Sequence, residues 1–263
     1  METFSTSLYE SAEDYFTAGP DATKNETLMW FVAAGILMQE LSKRSGNLPF
    51  GGLRSRSGYE LNKKLKPIEI LDFCSGPGNF VNHLSFTYPD INTVCIDNNK
   101  NFIETGKKIF PRWKFVYGDV IRINLKKKFD FITASLAYHH IEDKDKIKFL
   151  KNMQRHLKPD GVIIMCEHFL PNYTINRKSA VKKYYQALRN YYNQGNATRE
   201  AIRTMRDIEK LELQNLEEHK VSFRIFRNQL RKIGLGLDTD IIVWQPEKFR
   251  PDNAGSHVLV LRK

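Results

Sequence analysis

The chain has 263 residues, 41% hydrophobic and 27% charged, with a formal net charge of +11 from 41 Lys and Arg against 30 Asp and Glu. That composition suits one large globular domain, or one domain with an elaboration, and excludes a fibrous or low-complexity chain. No apolar run approaches the roughly 18 residues that cross a bilayer, so no membrane span is expected.

Residues 1–66 read as helices and loops, an N-terminal helical lid. Their opening, METFSTSLYESAEDYF, lacks the basic-then-apolar order of a secretory signal. LMWFVAAGILMQEL (28–41) suits a buried helix and ends in the glycine- and proline-marked KRSGNLPFGG. From Ile68 the texture changes to short apolar runs alternating with amphipathic stretches. The expected strands are 68–73, 92–97, 113–118, 129–135 and 161–167, and Ile147, Leu150, Met153 and Leu157 mark one face of a helix over 143–157. Near-continuous apolar strands separated by helices predict a parallel sheet covered on both faces, an α/β doubly wound fold.

The alternation stops after Glu167. Residues 170–220 carry no strand signal and predict a helical insertion, with helices near 178–193 and 198–219. Ser222 reads as the N-cap of a helix that Gly234 stops, and two last strands, 238–244 and 256–262, complete seven. Cys74, Cys95 and Cys166 lie in or beside strand-like runs without metal-ligand spacing, which reads as buried reduced thiols in a cytoplasmic protein.

In a doubly wound sheet the ligand lies at the carboxyl ends of the strands. The first strand exits into Ser75-Gly76-Pro77-Gly78, where glycine lets a ligand touch the main chain; the plain alternative is a tight turn. Asp97 ends the second strand 19 positions after Gly78, near the offset of roughly 20 at which an acid grips a ribose in dinucleotide folds. Asp72 and Asp119 also fall at strand ends. Any one could be a solvated turn residue, but three behind a glycine loop point to a polar ligand.

Here the sequence resembles the class I S-adenosylmethionine-dependent methyltransferases, from about Ile68 to Glu167, with a similar end at 222–263. Asp72-Phe73-Cys74-Ser75-Gly76-Pro77-Gly78 corresponds to the acid-x-Gly-x-Gly-x-Gly motif, with Cys74 in place of the first glycine; LAYHHIED (136–143) and LKPDGVIIM (157–165) also look like family motifs. The resemblance implies a Rossmann-like, mostly parallel seven-stranded sheet over 67–263 and S-adenosylmethionine as cofactor, with S-adenosylhomocysteine as product. It further implies that Gly76 and Gly78, with Cys74 and Ser75, pass under the methionine part, and that Asp72 holds the ammonium. Asp97, with Asn98 beside it, would accept the ribose hydroxyls, Asp119 and Val120 would read the adenine edge, and Ser135 would also belong to the cofactor site. A cationic sulfonium suits an acid-rich edge, whereas a pyrophosphate does not. A nicotinamide site would want glycine where Val81 stands, and no Gly-Lys-Ser/Thr phosphate loop occurs.

A hydroxyl or acidic-carbon acceptor must lose a proton, and His139 and His140 beyond the fourth strand suit that task, with Glu167 as orienting carboxylate. The alternative is that one of the pair packs or caps the next helix. No metal is expected, since adjacent histidines diverge and no third ligand is evident. Tyr15, Phe16, Tyr138, His168 and Tyr184 are the expected acceptor-lining residues, although the tyrosines of YYQALRNYY (184–192) also read as a core stripe. Between Arg177 and Arg206 eight basic residues face one acid, Glu200, which predicts an anionic small-molecule acceptor or one on an acidic carrier protein. The run that follows the fourth strand, Ser135-Leu-Ala-Tyr-His, is not that of base-amino methyltransferases, so nucleic acid is not the expected partner. An RNA methyltransferase using 177–206 and a non-catalytic scaffold are the alternatives; a homodimer is left open.

Overall fold

The computed structural model describes residues 24–45, 67–195 and 198–263. Seven strands form one sheet: β1 (Ile68–Phe73), β2 (Ile91–Asp97), β3 (Lys114–Tyr117), β4 (Phe129–Ser135), β5 (Leu157–Phe169), β6 (Gly236–Trp244) and β7 (Gly255–Arg262). Their order is β3-β2-β1-β4-β5-β7-β6, and only β7 runs antiparallel to its neighbours. Strand order reverses between β1 and β4, and β1, β2, β3, β4 and β5 all end on one edge, the edge where the expected ligand residues cluster.

Every β1 residue except Glu69 is buried, because both faces of the sheet are covered. Leu71, Phe73, Ile96 and Ile132 point to the layer made by α4 (Lys146–His156) and α7 (Phe223–Ile233). Ile70, Cys95, Phe131 and Ile164 point to the opposite layer of α1 (Lys24–Ser45), α2 (Asn79–Thr87) and α3 (Lys100–Ile109). α7 forms where the sequence places it: Ser222 Oγ accepts the Ile225 N–H, Phe223, Phe226 and Leu230 are buried on one face, and Gly234 ends it at φ 66°.

α1 is a layer of the sheet. Its start reaches the ligand edge, where Trp30 Nε1 donates to Ser135 Oγ at 2.8 Å. Its end reaches the far edge, where Arg44 bonds the Asp130 carboxylate and the Asp160 carbonyl. Cys95 and Cys166 are buried, Cys74 is partly so, and all three are free thiols.

The insertion is a helical hairpin, α5 (Arg177–Gln194) and α6 (Arg199–Gln214). It leaves and rejoins the sheet at one point, where the Leu170 N–H bonds the Val221 carbonyl. The tyrosines of α5 form a core stripe: Tyr184, Tyr185 and Tyr192 are buried, and Tyr184 packs edge-on against Trp244 of β6. Two of the eight cations counted between 177 and 206 are paired inside the cap, Arg177 with Glu212 and Arg189 with Glu209.

Candidate active site

At the end of β1 the chain turns through three residues of positive φ, Cys74 (53°), Gly76 (54°) and Gly78 (101°). The left-handed conformation at Cys74 explains why a glycine suits that position. Gly78 starts α2, and a Cβ there would stand 3.2 Å from the Phe115 ring. The Asp97 carboxylate at the end of β2 braces this turn, accepting Gly76 N–H at 2.9 Å and Asn99 N–H at 2.8 Å. The Asn98 N–H also bonds this carboxylate, so only part of its acceptor capacity is left for a ligand.

Asp72 is 1% exposed. Its Oδ1 accepts the Thr133 hydroxyl at 2.6 Å, while its Oδ2 is buried with no partner. Burial pushes its carboxyl up to about 7, against the Thr133 hydrogen bond, and the Asp97 charge adds to the rise. Burial also raises Asp97. The Cys74 thiol is pushed well up by burial and by the charges of Asp97, Asp72, Asp119 and Glu167, so four carboxylates project negative potential onto one loop.

Asn98 is exposed beside Asp97, and Asn99 caps α3. Asp119 is exposed after β3 and accepts the Ile121 N–H, and the buried Val120 gives its carbonyl to Asn152. Ser75 is buried with its hydroxyl on the Gly76 carbonyl, and Ser135 is held by Trp30. These residues line one continuous strand edge, as expected. Tyr15 and Phe16 lie outside the described residues.

β4 exits through Leu136, at φ 52°, into a single 3-10 turn, Tyr138–His140. This turn aims successive side chains differently. Tyr138 is not an acceptor-lining residue: its ring is 1% exposed, packed against Phe149 and Phe226, with its hydroxyl on Gln229. His139 turns inward to β5, where Nδ1 lies 2.5 Å from Glu167 Oε1 and its N–H bonds Glu167 Oε2. Glu167 is fully buried, and burial pushes it up to about 7 against the N–H of His168 that bonds it. Burial likewise holds His139 well below the ordinary imidazole range. His168 donates or accepts at Ser256 Oγ, and burial drops it to about 3, so it stays neutral. Tyr184 too is corrected: it is 1% exposed in the cap core, and only its ring approaches His168, at 6.4 Å.

The structure adds residues that no sequence pattern marked. After α6 the chain runs along the 3-10 turn, with the His219 N–H on the His139 carbonyl at 2.7 Å and His140 Nδ1 bonded to the Glu217 carbonyl. Glu218, 1% exposed, stands 3.9 Å from His139 Nε2 and 3.8 Å from His140 Nδ1. The two histidine rings lie 4.2 Å apart. The expectations that the pair diverges and has no third neighbour are therefore corrected. Lys220 underpins Glu218 and also reaches Glu212 Oε2 and the Tyr185 hydroxyl at 3.1 Å each. Burial opposes the Lys220 charge, but Glu218, Tyr185 and Glu212 outweigh it and hold the ammonium well above its ordinary value. NLEEHK has no periodicity or spacing that could have singled these residues out.

Comparison with known proteins agrees with this arrangement. A family model described as a methyltransferase domain matches residues 70–161. Demethylmenaquinone methyltransferase of Staphylococcus aureus is 30% identical over 111 residues, 40% of this chain and 45% of that protein. The chain thus spans under half the length of the curated relatives it matches. Among solved structures, PKMT2 from Rickettsia typhi superposes with a TM-score of 0.53 at 18% identity, over 75% of this chain and 49% of that one. The mitomycin 7-O-methyltransferase MmcR superposes with a TM-score of 0.51 at 14% identity, over 96% of this chain and 60% of that one. Residues 70–161 are therefore similar to a methyltransferase domain, and the strand order around them is that of a doubly wound fold with its acids and glycine turn on one edge.

Proposed function

We propose that the protein transfers a methyl group from S-adenosylmethionine to a small-molecule acceptor, with His139 taking the acceptor's proton and Glu167 orienting it. The observation that carries the donor assignment is Asp72 Oδ2, a buried carboxylate oxygen without a partner beside a turn whose glycines stand at positive φ. A buried anion left open is costly, and a cationic ammonium offsets that cost. The four carboxylates around Cys74 suit a cation and repel a pyrophosphate.

When bound, the donor supplies an activated methyl group. Asp72 would hold its ammonium, and Asp97 would turn its remaining acceptor capacity to the ribose. Asp119 and Val120 would meet the base, while Ser75 and Ser135 keep the turn and the β4 end in place. Glu167, as a carboxylate, only accepts, so Nδ1 of His139 carries the proton and Nε2 keeps the lone pair that a base needs. The demethylmenaquinone methyltransferase relatives support a small-molecule acceptor. An anionic acceptor, or one carried on an acidic protein, would meet the exposed Lys178, Lys182 and Lys183 of α5. The RNA reading is weakened because Arg177 and Arg189 are neutralised inside the cap.

Calorimetry with S-adenosylmethionine and S-adenosylhomocysteine tests the assignment. One-to-one binding that Asp97→Ala weakens by at least tenfold is expected. No uptake of either ligand by the unsubstituted protein overturns it.

A further inference from the structure

His139 Nε2 opens onto a buried cluster of acceptors that methyl transfer by itself does not require. Its Nδ1–H is committed to Glu167, so its Nε2 lone pair faces the Glu218 carboxylate across 3.9 Å. Lys220 already stands on that carboxylate from the far side, and a second cation seated between the two acceptors would be held by both. His140 adds a third donor atom: Nδ1 lies 3.8 Å from Glu218 Oε1, and one ligand atom from each of the three residues lies within 4.8 Å of the others.

We propose that His139, His140 and Glu218 form a binding site for a divalent first-row transition metal ion, with Glu167 as the outer carboxylate that fixes His139. Two imidazoles and one carboxylate are a ligand set that zinc, iron(II) and related ions take, and magnesium, which seeks oxygen, does not. Metal-bound nitrogens and oxygens at bond lengths near 2.1 Å stand roughly 3.0–3.4 Å apart. The separations of 3.8 and 3.9 Å to Glu218 therefore need a contraction of about half an ångström, and the two imidazole nitrogens, within 4.8 Å, need up to about 1.5 Å. The carboxylate–histidine pairing on the far nitrogen is the usual device that orients a metal-bound imidazole.

Two features set the strength of the site. His140 Nδ1 must release the Glu217 carbonyl, 3.0 Å away, and move its proton to Nε2 on the exposed side of the ring. Lys220 remains on Glu218, adding a positive charge that opposes the metal. Micromolar affinity is thus expected in place of the tight binding of structural zinc sites. Metal and proton compete for the same lone pair on His139, so loading the ion slows any transfer in which His139 acts as the base. The site also ties the end of the cap to the β4 exit, because Glu218 follows α6 while the histidines follow β4.

The test uses the full chain, stripped with EDTA and exchanged into chelator-free buffer, with Zn2+ by calorimetry, Co2+ by visible absorption and Mg2+ as the contrast. One equivalent of Zn2+ and of Co2+ is expected to bind in the micromolar range, and His140→Ala to weaken both by at least tenfold. Hydrogen exchange across residues 212–220 should slow on Zn2+ addition in the unsubstituted protein and not in His140→Ala. His140 is the site's exposed ligand, so that variant keeps the fold even where Glu218→Gln, which disturbs Lys220, does not. No stoichiometric uptake, uptake unchanged by His140→Ala, or equal binding of Mg2+ overturns the proposal. None of these readouts needs S-adenosylmethionine, so failure here is separate from failure of the methyl-donor assignment.

Discussion

Glu167 holds His139 at two points, accepting its main-chain N–H at 3.1 Å and lying 2.5 Å from its Nδ1, although 28 residues separate them in the chain. Parallel pairing of β4 with β5 brings the two strand ends together. The imidazole is thereby fixed in position, and an ionised Glu167 also sets its tautomer, because a carboxylate only accepts.

Glu167→Gln is expected to lower turnover by about 100-fold or more, because an amide can hold the wrong tautomer and cannot balance an imidazolium. In the unsubstituted protein, methyl transfer should fall as pH drops through about 7, where Glu167 takes up its proton. Nitrogen NMR of labelled histidine checks the same pair without an acceptor: His139 should stay neutral well below pH 6.5.

Donor binding should release a proton. Asp72 titrates at about 7 in the free protein, and an ammonium bound beside it favours the carboxylate. Affinity for S-adenosylmethionine should therefore weaken as pH falls below 7, by at most tenfold per unit. Asp72→Asn should lose that dependence together with roughly 10- to 100-fold in affinity, the usual worth of a charged hydrogen bond. Calorimetry in buffers of different ionisation enthalpy reads both effects.

The same carboxylates set the stability of the free protein. Asp72 and Glu167 are both raised to about 7 on folding, so between the ordinary carboxyl range and pH 7 the folded state binds more protons than the unfolded one. Their contribution is then present at low pH and is lost as pH rises toward and through 7. The unfolding free energy from urea titrations should decline over that window, by on the order of a few kcal/mol, and saturating S-adenosylmethionine should flatten the decline.

Lys220→Met tests the buried charge network of the cap. It leaves Glu212 and Glu218 without their shared cation, and breaking a buried pair costs about 3–5 kcal/mol. Thermal unfolding should show the loss, with hydrogen exchange rising first across 212–220.

Charge reversal at Lys182 and Lys183 should raise KM for an anionic acceptor and remove its salt dependence, leaving S-adenosylmethionine affinity unchanged. Both side chains are exposed, whereas Arg189 is tied to Glu209 and its reversal would disturb the cap itself. Indifference of KM to these changes and to salt counts against an anionic acceptor.

The strand runs, the glycine turn and the three strand-end aspartates were legible because each is a local pattern: a buried strand reads as an apolar run, and a turn of positive φ reads as glycine. From these the sequence alone determined the doubly wound fold and the strand edge on which the glycine turn and the acids meet. Tyr138 and Tyr184 were misplaced because residue type does not tell which way a side chain leaves a 3-10 turn, nor that an aromatic stripe faces Trp244. The approach of Glu218 and Lys220 to the histidines depends on where a helical hairpin returns to the sheet, at the Leu170–Val221 contact. That meeting of segments far apart in the chain is a matter of packing, and only the tertiary structure decided it.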